Sequence, residues 1–374
     1  VYYEFDLSGK RVSLKDPGLA KNYYVFDAAG RLIRQLLDTR PVYFAYDKSG
    51  LITRRLLPGG VGTPHRVMSY LFYDAAGRTL RIENRGSAYA TVINYFHYQR
   101  NENALPTLVR REEDKVTYLG YDELDRVVFE HQKWGAFNEL CDYYSYDLAS
   151  NRLSKLNTVE GWQEDYSYDD RNLLTQVART GGDGRVSEFD FDDSQRLVRR
   201  LSSSDPPRSS YFQFDQLNRL NRLEALPHGG TNVCTFRYTA MGERVESQEL
   251  VGEPPVYFSY DGGMLLSRGG AGGAGIVPRY RHAPPSGVLP SLVSFEATGF
   301  SDQYTAGAGK TVWKQAQSGG AAVGYFAYDA FLRTQYQVQG AGQAPNTQVG
   351  QDPGGGWYRA PTFGEITFLT KRGV

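Results

Sequence analysis

Long apolar runs, cysteine pairs, net charge and Leu-rich helical stretches are all missing from this 374-residue chain. No run approaches the roughly 18 apolar residues of a membrane-crossing helix, which excludes a helical span. Two cysteines, Cys141 and Cys234, are too few for a disulfide scaffold and leave room for one optional bridge. The 42 basic and 42 acidic side chains cancel, so no overall field draws in nucleic acid or an acidic membrane. His65, His97, His131, His228 and His282 stand far apart with no cysteine at ligand spacing, which argues against a zinc site. No signal peptide is visible, and the chain opens inside a repeat, which predicts that its true N-terminus lies elsewhere.

What the chain has instead is an aromatic-x-aromatic-Asp signature returning about every 23 residues. Full copies are Tyr3-Glu4-Phe5-Asp6, Tyr24-Val25-Phe26-Asp27, Phe44-Ala45-Tyr46-Asp47, Tyr144-Ser145-Tyr146-Asp147, Tyr166-Ser167-Tyr168-Asp169 and Phe189-Asp190-Phe191-Asp192. Looser copies end at Tyr73-Asp74, Tyr121-Asp122, Phe214-Asp215, Tyr260-Asp261 and Tyr328-Asp329, and two more align at Tyr98-Gln99 and Tyr238-Thr239. With the Asp numbered zero, the aromatics at −1 and −3 share one side of an extended strand, whereas a helix would separate them by about 200°. Three residues after the Asp comes a residue suited to positive φ: Gly9, Gly30, Gly50, Gly77, Asn172, Asn218 or Gly242. Asp at the first position of a type I turn accepts backbone N–H bonds, and Gly at the fourth supplies the left-handed φ. Each repeat therefore reads as strand, tight turn, strand, with a variable loop at the opposite rim. An apolar pair such as Leu32-Ile33 opens the return strand. The preceding basic residue, for example Arg31 or Arg219, is placed to form a ladder of charge pairs along the corner rim.

These residues resemble the YD-repeat, or Rhs-repeat, family, which includes the cores of Rhs polymorphic toxins, the C component of insecticidal toxin complexes, and teneurins. Residues 1–267 carry the repeat in register, 268–320 read as Gly/Pro-rich degenerate repeats, and 321–374 resemble the terminal segment of the Rhs core. That last segment holds Tyr325-Phe326-Ala327-Tyr328-Asp329-Ala330-Phe331, then Asp352-Pro353 and Gly356-Trp357-Tyr358-Arg359. Lys371-Arg372-Gly373-Val374 stand where self-cleaving members have a closing Asp-Pro signature, so the resemblance does not carry autoproteolysis over. It implies an all-β sheet of tandem antiparallel hairpins, curved or spiralling into a shell. Strands spaced ~4.8 Å in 374 residues make about one turn, too little to close a container alone.

The recurring Asp residues invite a catalytic reading, but thirteen regularly spaced positions cannot all be active sites, and turn geometry accounts for them. Gly270-Ala271-Gly272-Gly273-Ala274-Gly275 fits a dinucleotide pattern, yet Pro278, Pro284 and Pro285 forbid the helix it needs. Gly309-Lys310-Thr311 lacks the first glycine of a phosphate loop, because Tyr304 holds that place. The expectation is a secreted, non-catalytic shell segment without cofactor or metal. Its partner would be an enclosed polypeptide or further repeat segments. The alternative is an extracellular adhesion or filament module. There, Tyr rows with Trp134, Trp162, Trp313 and Trp357 would stack on carbohydrate or on other copies.

Overall fold

The computed structural model describes residues 2–338 apart from connecting stretches, the longest being 58–67, 271–278 and 283–291. Beyond Tyr260 it describes strand positions only. Asp329, the Asp352-Pro353 tract, Trp357 and Lys371–Val374 lie outside the described residues. Thirty strands belong to one antiparallel sheet, and no helix occurs among the described residues. The fold is all-β, as the period-two aromatics require. Every described pairing joins strands consecutive in sequence, from Tyr2–Phe5 with Arg11–Lys15 to Ala322–Tyr328 with Thr334–Val338. The chain divides into two compact units. One holds the described residues up to Lys115 and from Phe258 onward; the other holds Val116–Tyr257.

From the Asp6 corner to the Thr239 corner, each corner hairpin is built on one rule. The residue at −1 pairs with +5, and the residue at −2 pairs with +7, so +6 is left over as a bulge. In the Asp27 hairpin, Phe26 faces Leu32 and Val25 faces Arg34, leaving Ile33 unpaired.

Alternation then sorts side chains onto two faces. Positions −3 and +8 form the centre of the buried face: Phe44 opposite Arg55, Leu71 opposite Ile82, Phe212 opposite Leu223. Apolar clusters result, among them Leu32, Val42, Phe44 and Leu57 in the first unit, and Leu197, Phe212, Leu220, Leu223, Cys234 and Phe236 in the second. Positions −2, −4 and +7 form the exposed face. The two cysteines are free thiols, so the optional bridge is not formed.

Candidate functional site

The corner is the feature that repeats most faithfully. In the Asp27 hairpin, the Asp27 N–H donates to the Arg31 carbonyl at 2.9 Å, and the Gly30 N–H donates to the Asp27 carbonyl at 2.9 Å. One carboxylate oxygen of Asp27 accepts the Arg31 backbone N–H at 2.8 Å, and the other accepts Arg31 Nε at 2.7 Å. The same set recurs at Asp74, Asp122, Asp192 and Asp215 with Arg78, Arg126, Arg196 and Arg219. Asp6, Asp47, Asp147 and Asp169 keep the backbone part, with Lys10, Leu51, Asn151 and Leu173 in the basic position. The backbone N–H and guanidinium of Arg31 hold the Asp27 carboxyl below the usual aspartate range, and Arg219 does the same for Asp215.

The residue three places on has positive φ at every described corner. It is Gly9, Gly30, Gly50, Gly77 and Gly242, and Asn172 and Asn218; Ala104, Asp125, Ser150 and Gln195 also occupy it, without a glycine signal. One corner sits two residues from its expected place. Tyr98-Gln99 resembles the signature, but Asn101 makes the turn: its Oδ1 accepts the Leu105 N–H at 2.9 Å, and Ala104 has φ 66°. Tyr98 is therefore at −3 and buried, and Arg100 is at −1. The Asp261 side chain, Tyr328 and Asp329 are not described at the side-chain level.

The −1 position explains the tyrosine in the signature, which period-two reasoning leaves open. Tyr46 Oη donates to the Leu32 carbonyl at 2.8 Å, Tyr73 to Ile52 at 2.7 Å, and Tyr146 to Val127 at 2.7 Å. Tyr168 reaches Arg152 at 3.0 Å and Tyr238 reaches Leu220 at 2.6 Å. Each acceptor is the +5 carbonyl of the preceding hairpin. Arg100 replaces the phenol at the misplaced corner and donates to the Thr79 carbonyl at 3.0 Å. A second tie runs along the rim: Arg31 to the Asp47 carbonyl at 3.1 Å, Arg126 to Asp147 at 2.9 Å, and Arg219 to Thr239 at 2.7 Å. Phe26, Tyr121, Phe191, Phe214 and Tyr260 sit half-buried at the same −1 position, while Phe5 is exposed.

Away from the corners, the buried face of the second unit turns polar. Lys155 Nζ lies 2.9 Å from Asp142, which also accepts Asn157 Nδ2 at 2.8 Å. Tyr144 Oη bridges Glu130 and Asp142 at 3.3 Å each. Next to them, Glu164 accepts Arg179 at 2.6 Å and Tyr166 Oη at 2.7 Å. Trp162 is half-buried under Arg179 and Lys155, at 4.2 Å and 5.1 Å from its ring centre, and does not join an outward aromatic row. The side chains of Trp134 and Trp313 are not described.

The outward aromatics are at −4 instead: Tyr23, Tyr43, Tyr118, Tyr143, Tyr211 and Tyr257, each about two-fifths exposed. A Tyr four residues before the Asp is a signal visible in the sequence. In the first unit these tyrosines alternate with arginines such as Arg34 and Arg54. Arg34 lies between Val25 and Tyr43, and Arg54 between Ala45 and Tyr70, so neither arginine has a carboxylate directly opposite it; Glu83 follows one strand on, opposite Tyr70. Farther along the same face Arg81 pairs with Glu83. In the second unit the arginines at the same position are neutralised, Arg199 by Asp190 and Arg222 by Glu224. No group of three or more His, Cys, Asp or Glu placed to hold a metal occurs among the described residues.

No family model matches the chain, and no curated protein does. Among solved structures it is similar to the crystal structure of TcdB2-TccC3-Cdc42, at 9% identity and TM-score 0.36, over 90% of this chain and 25% of that one. A second is TcdB2-TccC3 without its hypervariable C-terminal region, at 11% and 0.35, over 92% and 23%. A third is a porin-like protein from Bacteroides uniformis, at 11% and 0.24, over 55% and 88%. The chain thus spans about a quarter of the length of the first two.

Proposed function

We propose that this chain is a non-catalytic YD-repeat wall, secreted, whose hairpins line a space occupied by a polypeptide in the manner of a toxin-delivery shell. The observation that carries this reading is where the recurring functional groups spend their bonds. At the fullest corners both carboxylate oxygens are taken, and the guanidinium and phenol reach the neighbouring hairpin. At those corners the carboxylate, guanidinium and phenol are spent on the wall itself rather than held free for proton transfer. Protease protection under native conditions tests the enclosure. The parent protein is expected to keep a polypeptide intact that is digested once denaturant opens the wall. Equal digestion in both states would overturn the enclosure, and a cut product in the mass spectrum of untreated protein would overturn the non-catalytic part.

A second reading, an extracellular module that binds carbohydrate, is favoured by the strip of Arg34, Tyr43, Arg54 and Tyr70, in which neither arginine has a carboxylate directly opposite it. Exposed arginines interleaved with aromatic rings suit acidic sugars, by ion pairing and ring stacking. Glycan-array binding that vanishes in Arg34→Glu/Arg54→Glu would support it; no binding by the unaltered protein would remove it.

A further inference from the structure

Consecutive hairpins are tied at their corners by two side chains, the residue at +4 of one and the residue at −1 of the next. At the joint from Asp27 to Asp47 both ties form, through Arg31 and Tyr46. From Asp122 to Asp147 both form through Arg126 and Tyr146, and from Asp215 to the Thr239 corner both form through Arg219 and Tyr238. Asn151 and Tyr168 likewise tie Asp147 to Asp169. Other joints keep one. Tyr73 ties Asp47 to Asp74, Arg100 ties Asp74 to Asn101, and Arg196 reaches Asn218 Oδ1 at 3.0 Å between Asp192 and Asp215. Even the first joint keeps Lys10 over the Phe26 ring. Among the described corners, from Asp6 to Thr239, only the joint from Asp169 to Asp192 has both positions apolar, Leu173 and Phe191.

The buried face changes character at the same place. On one side lies the polar network from Glu130 through Asp142 and Lys155 to Glu164 and Arg179. On the other, Phe189 and Phe191 pack into the apolar cluster of Leu197, Phe212 and Leu223. The far end of the joint, by contrast, is held. The Arg179 N–H donates to the Arg185 carbonyl at 2.8 Å, Arg179 meets Asp183 at 3.6 Å, and Arg185 meets Glu164 at 3.9 Å. Gly181, at φ 77°, sits so close to the Gly161 carbonyl that a Cβ would stand 2.5 Å from it.

We infer that the joint between the Asp169 and Asp192 hairpins is a built-in hinge of the second unit, free at the corner rim and anchored at the 181–185 loop. Residues 127–180 and 186–238 move about it as two blocks. Strands Leu174–Thr180 and Val186–Phe191 are joined by the backbone ladder Gln176–Glu188, Val177–Ser187 and Ala178–Val186, which stops short of the corner. The corner end of that ladder is therefore the first to open.

Hydrogen exchange of the intact chain, followed by mass spectrometry, tests the hinge. Peptides covering 174–178 and 187–191 are expected to exchange faster than those covering 152–156 and 163–168 at the preceding joint. Phe191→Tyr places a phenol within reach of the Leu174 carbonyl and should slow exchange at the hinge roughly 2- to 12-fold, the worth of one added hydrogen bond. Tyr168→Phe, which removes a tie, should speed exchange at the Asp147–Asp169 joint by a similar factor. The inference is overturned if the two joints exchange alike in the unaltered protein. It is equally overturned if Phe191→Tyr, folded by circular dichroism, leaves exchange at 174–178 unchanged. Should that variant not fold, a Tyr168→Phe protein with unchanged exchange has the same force.

Discussion

The tyrosine before each corner differs from phenylalanine by one oxygen, and that oxygen donates to a carbonyl of the hairpin before it, as Tyr46 does to Leu32. Tyr46→Phe or Tyr146→Phe leaves the ring in place and strands a carbonyl, so each should cost about 0.5–1.5 kcal/mol in urea unfolding. An unchanged midpoint in both variants would show that the phenol is ornamental. Burial pushes the Tyr73 phenol up to about 12, beyond the ordinary value of about 10. A raised value means that the folded state prefers the protonated phenol. This contribution is complete below pH ~10 and is lost as the pH climbs toward about 12. Absorbance titration of the native protein should show tyrosines that ionise only together with alkaline unfolding, an effect Tyr73→Phe reduces. At the corners, backbone conformation sets the preference. Gly50 stands at φ 86° and Ala104 at φ 66°, so Gly50→Ala should lose about 1 kcal/mol and Ala104→Gly gain a similar amount. Two substitutions of opposite sense with opposite signs would be hard to produce by any other cause.

At the scale of the hairpin, the corner Asp serves as backbone acceptor and ion-pair partner, and Asn101 separates the two roles. Its Oδ1 still accepts the Leu105 N–H, with no charge to offer. Asp215→Asn should therefore keep the turn and lose the Arg219 pair, a smaller effect than Asp215→Ala, which removes both. Because Asp27, Asp74, Asp169 and Asp215 are held below the usual aspartate range, chiefly by backbone N–H bonds, they stabilise the fold above pH ~3.9. That stability falls away as the pH drops below this value and the carboxylates protonate. Acid unfolding should be steep there, and milder in the Asp215→Asn protein. Strand, turn and strand were legible in the sequence because two aromatics at spacing two and an Asp-x-x-Gly corner are local signals. The bulge at +6 was not, since it shows only as a missing cross-strand partner. Tyr98-Gln99 misled for a physical reason: a −3 aromatic followed by Arg100 serves the corner as well as the usual pair, because a guanidinium reaches the same carbonyl. The polar network of Asp142, Lys155 and Glu164 was invisible for a different reason. It assembles across hairpins, where register rather than local pattern decides who meets whom.

On the scale of the molecule, every described strand pairing is between sequence neighbours, and each apolar cluster is confined to a few consecutive hairpins. Stability in such an array is a sum of hairpin terms and nearest-neighbour terms, so cooperativity has a finite reach. Unequal ties make it shorter still, since joints with two side-chain ties couple more strongly than the joint whose tie positions are both apolar. The chain should not melt as a single two-state body. Differential scanning calorimetry is expected to give a calorimetric enthalpy well above the van't Hoff enthalpy. Leu223→Ala, which empties a site only 1% exposed, should cost about 2–5 kcal/mol where it sits. That loss should appear as faster hydrogen exchange in 186–238, while the Phe44–Leu57 cluster of the first unit keeps its protection. Matching enthalpies, with Leu223→Ala raising exchange equally in both units, would mean that coupling runs the length of the sheet and that the neighbour-only account of its stability is wrong.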